Sequence, residues 1–250
     1  MIIKNDQELQ AMREIGKVVA SIRDDMKNAA KPGMTTKELD NLGATLFEKH
    51  GAISAPKQEY DFPGFTCISI NEEVAHGIPG DRVIKEGDLI NIDVSGSKNG
   101  FYADTGISFV IGEGSEKLQD LCEAVKKSFD AGLKKIKAGS KLNGIGKAVH
   151  NEARRNGYTV IKNLTGHGVG KSLHEEPSHI MNYFDPWDNG LLADGMVIAF
   201  EPFVSTNAEE IVQEDDGWTF VTEDKSYVAQ IEHTIVVTKG EPIILTLGAE

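Results

Sequence analysis

The sequence is poor in cysteine and carries no apolar export segment at its start. Its two cysteines, Cys67 and Cys122, lie far apart and form no CxxC motif. The first ten residues, MIIKNDQELQ, contain no apolar core of the kind that a secretory signal requires. Both features are typical of a protein in a reducing compartment, and we expect a cytoplasmic location.

Clusters of basic residues are also missing. The formal net charge is −13, and Lys and Arg form no run along the chain. Because nucleic acids and anionic membranes bind to such clusters, we expect no stable nucleic-acid binding and no membrane partner. With 40% hydrophobic and 26% charged residues, the 250-residue chain has an ordinary globular composition that can build a sizeable core.

A nucleotide-binding loop is absent, although one glycine-rich segment superficially suggests one. Residues 165–177, TGHGVGKSLHEEP, do not have the GxxxxGK[ST] spacing of a P-loop and lie in no strand-loop-helix unit. The segment does contain His167 and His174, seven residues apart. Imidazoles serve as metal ligands and as proton carriers, which makes these two histidines candidates for either role.

Two carboxylates stand out in the segment LINIDVSGSKNGFYADTGISF, residues 89–109. Its alternating apolar residues on either side of Asn99-Gly100 predict a β-hairpin, because Asn-Gly favours a tight two-residue turn. With that turn, Asp93 lies opposite Gly106, and Asp104 is its diagonal neighbour on the same face. Diagonal neighbours are about 7–8 Å apart at the backbone, so the two carboxylates can share a cation. Like charges this close repel unless something cationic neutralises them, and a divalent metal ion is the obvious candidate.

The sequence pattern predicts two similar halves. Asp6 is the expected N-cap of a first helix that stops at Lys31-Pro32-Gly33, and Thr35 begins a second helix with a capping box. Ser115 begins an equivalent pair of helices in the second half. The glycines that end the two pairs are offset by the same 106 residues: Gly33 and Gly51, then Gly139 and Gly157.

Strands with acids of their own follow the second pair of helices. These acids are Glu201, in MVIAFEPF, and Glu232, in YVAQIEHTIVV. Residues 1–250 are therefore predicted to form one catalytic domain of the α+β class, with pseudo-repeats at about 6–111 and 115–238. Each half contributes two helices, a sheet and two acids, and we expect the site between the halves.

The motifs NIDVSGSKNGFYADTG, TGHGVGKSLHEEP, MVIAFEPF and QIEHTIVV, in this order, resemble the methionine aminopeptidases of the bacterial type I group. The resemblance covers nearly the whole chain. It implies the duplicated pita-bread fold, in which two helix-helix-sheet halves surround a central curved antiparallel sheet. It also implies an enzyme that removes the N-terminal methionine from nascent proteins with a small second residue.

The same resemblance implies the roles of the site residues. Asp93, Asp104, His167, Glu201 and Glu232 correspond to the family's metal ligands. They would hold two divalent ions that activate a water for attack on the first peptide bond. A set of four carboxylates and one imidazole suits Co, Mn, Fe or Zn and does not select one of them. His174 is implied to stabilise the oxyanion, Glu201 to shuttle the proton, and His76 to contact the substrate backbone.

Apolar residues beside the site motifs are candidates for a methionine pocket, since a methionine side chain calls for apolar, aromatic or sulfur contacts. They are Phe62, Cys67, Leu173 and Trp218, all of which could equally be core residues. Leu173 stands where many relatives have an aromatic residue. Nascent chains as substrates imply at least transient proximity to the ribosome, and a monomer is the expected state.

Two alternative functions are left open. One is an Xaa-Pro peptidase of the same fold, although the related prolidases carry an additional N-terminal domain. The other is a non-catalytic pita-bread protein that binds nucleic acid or protein. Such proteins lose the ligand set, whereas here all five ligand positions carry suitable residues.

Overall fold

The structure, a computed structural model, describes residues 1–248. Its helices are α1 Asp6–Ala29, α2 Thr36–His50, α3 Ala55–Tyr60, α4 Glu116–Leu133 and α5 Leu142–Arg155. The strands before α4 are β1 Ile53–Ser54, β2 Cys67–Ile70, β3 Glu73–Ala75, β4 Leu89–Asp93, β5 Gly96–Lys98, β6 Phe101–Ala103 and β7 Gly106–Val110. Those after α5 are β8 Thr159–Val160, β9 Gly166–Gly168, β10 Glu175–Ile180, β11 Val197–Phe200, β12 Phe203–Ser205, β13 Val212–Gln213, β14 Phe220–Val221, β15 Val228–Gln230, β16 His233–Val236 and β17 Ile243–Ile244.

The first two helices begin and end at local sequence signals. Helix α2 starts with the predicted capping box, since Thr35 and Glu38 bond reciprocally, and it ends at Gly51 in the left-handed conformation. The predicted N-cap of α1 was wrong by one residue. Asn5, not Asp6, is the cap, because the Asn5 side chain accepts a hydrogen bond from the backbone of Glu8.

The second pair of helices repeats this arrangement. Ser115 caps α4 as predicted, and its side chain accepts from the backbone N–H of Leu118. Helix α4 ends at Leu133, although the apolar stripe continues to Ile136. The chain tightens there into i to i+3 hydrogen bonds, and Ile136 remains buried. The four glycines that signal the helix ends all have positive φ: Gly33 90°, Gly51 60°, Gly139 85° and Gly157 84°.

The predicted hairpin forms around Asn99-Gly100. Both turn residues have positive φ, and Lys98 pairs with Phe101 across the turn. The register also agrees, because Asp93 lies opposite Gly106. Each long strand is interrupted near the acids, however, so β4 and β5 form one arm of the hairpin and β6 and β7 the other.

The second half contains a matching pair of interrupted strands. Strands β11 and β16 pair on one side of the interruption, and β12 and β15 pair on the other. Glu201 lies between β11 and β12, and Glu232 lies between β15 and β16. The two halves meet at these interruptions, where the backbones of Gly106 and Glu232 exchange hydrogen bonds.

The helices cover one side of the strands and leave the other side for the site. Along β4, Ile90 and Ile92 point into an apolar core that also contains α1 and α2. Asn91 and Asp93 alternate with them and therefore face the opposite side. Helices α4 and α5 form a second core with β11 and β12. Within residues 1–248, no helix combines the length and apolar character needed to cross a membrane.

Candidate active site

The acids of both halves converge on one cavity of about 150 Å³. Every site residue predicted from the sequence lines this cavity. The acids and histidines are Asp93, Asp104, Glu201, Glu232, His76, His167 and His174, and the apolar candidates are Phe62, Cys67, Leu173 and Trp218. Residues more than a hundred positions apart in sequence thus share one small space.

Each carboxylate lies where a strand ends or is interrupted, and little of it reaches solvent. Asp104, Glu201 and Glu232 are 4%, 8% and 1% exposed. Burial raises the pKa of Asp93, Glu201 and Glu232 well above the usual carboxyl range, and the nearby charge of Asp104 raises each further. Buried like charges are costly without a neutralising partner, which favours a cation at their centre.

His167 presents one ring nitrogen to these acids. Its Nε2 lies 3.7 Å from Oδ2 of Asp104 and 3.6 Å from Oε1 of Glu201. Its Nδ1 lies 2.9 Å from the carbonyl oxygen of Gly168 and must donate to it, which leaves the Nε2 lone pair facing the carboxylates. Burial lowers the pKa of His167 to about 4, so the ring is neutral at pH 7.

The donor set therefore fits a divalent metal ion. Ligand atoms of Asp104, His167 and Glu232 lie within 4.8 Å of one another. A neutral imidazole with a free lone pair and hydrogen-bonded carboxylates are the usual arrangement of a metal centre. Supporting bonds are present, since Ser95 Oγ donates to Oδ1 of Asp104 at 2.6 Å.

His174 lies next to His167, with ring centroids 4.2 Å apart. Its Nδ1 is 2.7 Å from the hydroxyl of Tyr60. Burial, then the neighbouring His167, lowers the pKa of His174 to about 4, while burial and Glu59 raise the pKa of the Tyr60 phenol. Both groups are therefore neutral at pH 7. With the phenol donating to Nδ1, His174 carries its hydrogen on Nε2.

His76 also lines the cavity. It packs against Phe220, with ring centroids 4.9 Å apart, and its φ of 54° is an uncommon backbone conformation for a histidine. Burial and the proximity of His174 lower its pKa to about 4. A strained backbone at the wall of a cavity is a common feature of functional sites.

The apolar candidates form part of the cavity wall, and Cys67 lies directly across from Asp93 on the neighbouring strand. Phe62 and Trp218 contact edge to face, with ring centroids 5.2 Å apart. Leu173 and Cys67 are buried beside them. Burial and the nearby Asp93 raise the pKa of Cys67 well above that of a free thiol, so it acts as an apolar wall and not as a nucleophile. Such a wall suits an unbranched apolar side chain.

Among the polar residues that line the cavity, Tyr60, Ser95 and Gln230 were missed by the sequence reasoning. Ser95 and Gln230 each lie two positions from a predicted ligand, Asp93 and Glu232 respectively. In a strand this spacing places both side chains on one face, so the alternation alone could have identified them. Tyr60 ends α3 and meets His174 across 114 positions of sequence, for which no local signal exists.

Comparison with known proteins agrees with this geometry. The model of metallopeptidase family M24 matches residues 10–239. The chain therefore belongs to metallopeptidase family M24. Its class as a metal-dependent hydrolase is thereby confirmed.

Similar proteins place the chain within that family. It is 61% identical to methionine aminopeptidase 2 of Bacillus subtilis over 98% of this chain and 99% of the relative. Its sequence is 36% identical to that of methionine aminopeptidase from Thermotoga maritima. The crystal structure of that protein superposes with a TM-score of 0.94, covering 98% of this chain and 99% of that chain. Within family M24, the chain groups with the methionine aminopeptidases.

More distant structures show the fold alone. Prolidase from Pyrococcus horikoshii superposes with a TM-score of 0.79 at 23% identity. This chain spans 64% of that prolidase. The duplicated pita-bread fold predicted from the motifs is confirmed, and the high identity to methionine aminopeptidases does not favour the Xaa-Pro or non-catalytic alternatives.

Proposed function

We propose that this protein hydrolyses the first peptide bond of nascent proteins and peptides, releasing N-terminal methionine when the second residue is small. The observation that carries the proposal is the convergence of four carboxylates and His167 on a small cavity that Phe62, Cys67, Leu173 and Trp218 also line. The polar groups serve hydrolysis, and the apolar residues accommodate the methionine side chain.

The proposed ligands are Asp93, Asp104, His167, Glu201 and Glu232, which together would hold two divalent ions. Four carboxylate charges are offset by two such ions, and the ligand set accepts Co, Mn, Fe or Zn. When bound, a pair of ions lowers the pKa of a water molecule and polarises a carbonyl group. The raised pKa values of Asp93, Glu201 and Glu232 support this assignment, because burial first and the neighbouring charge of Asp104 second disfavour the ionised carboxylates, and a bound cation would offset both effects.

The remaining roles belong to the chain's own side chains. Glu201, buried beside His167, is placed to accept a proton from the attacking water and deliver it to the leaving amine. His174, with its hydrogen on Nε2, can donate to the oxygen of the scissile carbonyl. His76, which lines the same cavity, contacts the substrate backbone. Phe62, Cys67, Leu173 and Trp218 surround the methionine side chain.

The proposal extends to where the protein works. Nascent N-termini are its substrates, so it acts in the cytoplasm with transient proximity to the ribosome, as a monomer without stable nucleic-acid or membrane binding. The acidic balance of the chain, with a net charge of −13, supports the last point.

The test is release of methionine from a Met-Ala-Ser peptide by metal-stripped protein, repeated after addition of Mn, Fe, Co or Zn. We expect added metal to restore cleavage, and we expect Asp104→Asn to abolish it. Asp215→Asn, which removes an exposed acid in a turn, is the matched control and should retain the parent rate. Met-Pro and Ala-Pro peptides in the same assay test specificity. Preference for Ala-Pro, or inactivity with every metal, would contradict the proposal.

A further inference from the structure

The side-chain amide of Gln230 lies between two of the proposed ligands. Its Nε2 is 3.0 Å from Oε2 of Glu201 and 3.4 Å from Oε2 of Glu232. An amide nitrogen has two hydrogens, so one side chain can donate to both carboxylates at once. Gln230 is itself 2% exposed, and water does not compete for these bonds.

Residues of the first half fix the orientation of this amide. Nδ2 of Asn91 donates to Oε1 of Gln230 at 2.8 Å and to Oγ of Ser108 at 3.1 Å. The backbone N–H of Gln230 donates to the same Ser108 oxygen at 2.9 Å. Because ionised carboxylates only accept hydrogen bonds, the Gln230 nitrogen must face them and its oxygen must face Asn91. The opposite orientation would leave the Asn91 donor against a donor.

The backbone around Gln230 leaves it little freedom. A Cβ atom at Gly106 would lie 2.4 Å from Oε1 of Gln230. Glycine at this position therefore leaves room for the amide where it now lies. The side chain is held by its bonds to both halves and by this close approach.

We infer that Gln230 is a positioning residue that holds Glu201 and Glu232 in the orientation required for metal binding, and that Asn91 acts through it. The inference rests on the ligand set proposed above. By occupying Oε2 of Glu201, the amide leaves Oε1 facing Nε2 of His167. It also separates two carboxylates that would otherwise repel each other.

Loss of a hydrogen-bond partner behind metal ligands typically lowers metal affinity or activity by about 10- to 100-fold. We expect Gln230→Met, which keeps the length and removes both donors, to weaken Mn²⁺ binding by about this factor. At saturating Mn²⁺, kcat for Met-Ala-Ser should fall while KM changes little, since the amide supports the ligands and not the substrate. Gln119→Met, on the exposed face of α4, is the matched control and should bind Mn²⁺ as the parent does.

The experiment is calorimetric titration of the metal-stripped full chain with Mn²⁺, followed by steady-state kinetics. Asn91→Ala keeps the inference testable if Gln230→Met does not fold. Without Asn91, the amide loses the bond that holds its oxygen and is less firmly fixed against the carboxylates, so this variant should also bind Mn²⁺ more weakly. In the double variant, Asn91→Ala should add nothing to the effect of Gln230→Met.

The possible outcomes distinguish a failure of the role inferred for Gln230 from a failure of the proposed ligand set. If Glu232→Gln loses Mn²⁺ binding but Gln230→Met or Asn91→Ala binds within about twofold of the parent, well below the expected loss, the role of Gln230 is refuted. Additive effects in the double variant would refute the claim that Asn91 acts through Gln230. If Glu232→Gln binds Mn²⁺ like the parent, the proposed ligand set fails instead.

Discussion

The bond between Tyr60 and His174 allows a quantitative prediction. Tyr60→Phe removes a hydroxyl that lies 2.7 Å from Nδ1 of His174 and keeps the ring in place. A neutral hydrogen bond contributes about 0.5–1.5 kcal/mol net, and Tyr60 is 43% exposed, so water can partly replace the hydroxyl. This free energy corresponds to a fall in kcat of about 2- to 13-fold.

The expected effect is much smaller than that of losing His174 itself. Removal of a donor to a developing oxyanion costs about 10²–10³ in kcat, which sets the expectation for His174→Ala. Because Tyr60 acts through the imidazole, Tyr60→Phe should have no further effect in the His174→Ala background. The assay is methionine release from Met-Ala-Ser at saturating metal.

Tyr102→Phe is the matched control. Its hydroxyl accepts a bond from Gln58 and lies outside the cavity wall, so the variant should keep the parent kcat. Our reasoning would be refuted if Tyr60→Phe lowered kcat equally in both backgrounds. A loss as large as that of His174→Ala would refute it as well.

The further predictions concern stability. Burial raises the folded-state pKa of Glu232 above its unfolded value of 4.5, so the folded chain binds more protons and the metal-free protein loses stability as pH rises above about 4.5. Thermal melts of metal-free parent and Glu232→Gln from pH 5 to 8 should therefore diverge, with the parent falling more steeply. An equal fall in melting temperature with pH in the two proteins would contradict this role of Glu232. Mn²⁺ at a hundred times its Kd should stabilise the parent by about 2.7 kcal/mol. Gly100→Ala should cost about 1 kcal/mol, because Gly100 has a φ of 76° with open space around it and only the backbone is strained. Gly144→Ala, equally open but in α5, should instead stabilise by up to about 1 kcal/mol, and denaturant titration measures both.

Much of the site could be predicted because its acids lie in strongly patterned strands. The Asn99-Gly100 turn alone fixes the register that puts Asp93 and Asp104 on one face. The matching glycines then indicate a second half in which Glu201 and Glu232 occupy similar places. Local rules suffice where a short turn and strict alternation leave only one pairing.

Other features depend on contacts between distant segments. Tyr60 comes from a separate region, and only the packed structure brings it to His174, whereas His76 was expected from the family resemblance and not from any local pattern. The sequence also does not show whether Asn5 or Asp6 caps α1. Both side chains can accept the capping hydrogen bond, and the two possibilities differ by only one residue in where the helix begins. Helix α4 ends early for a similar reason, because its apolar stripe continues through a tighter turn.

The division of the proposed ligands between the two halves has a consequence for when the enzyme can become active. Asp104 is held by Thr234, 130 positions later in the chain, through bonds in both directions. A ribosome that has synthesised only the first half has therefore made Asp93 and Asp104 without Thr234 and without the other three proposed ligands. Contacts of such long sequence separation form late and slowly in folding. Activity is therefore expected only after the segment with Glu232 and Thr234 has been synthesised and has folded. An incomplete copy of this protein cannot process the chains around it.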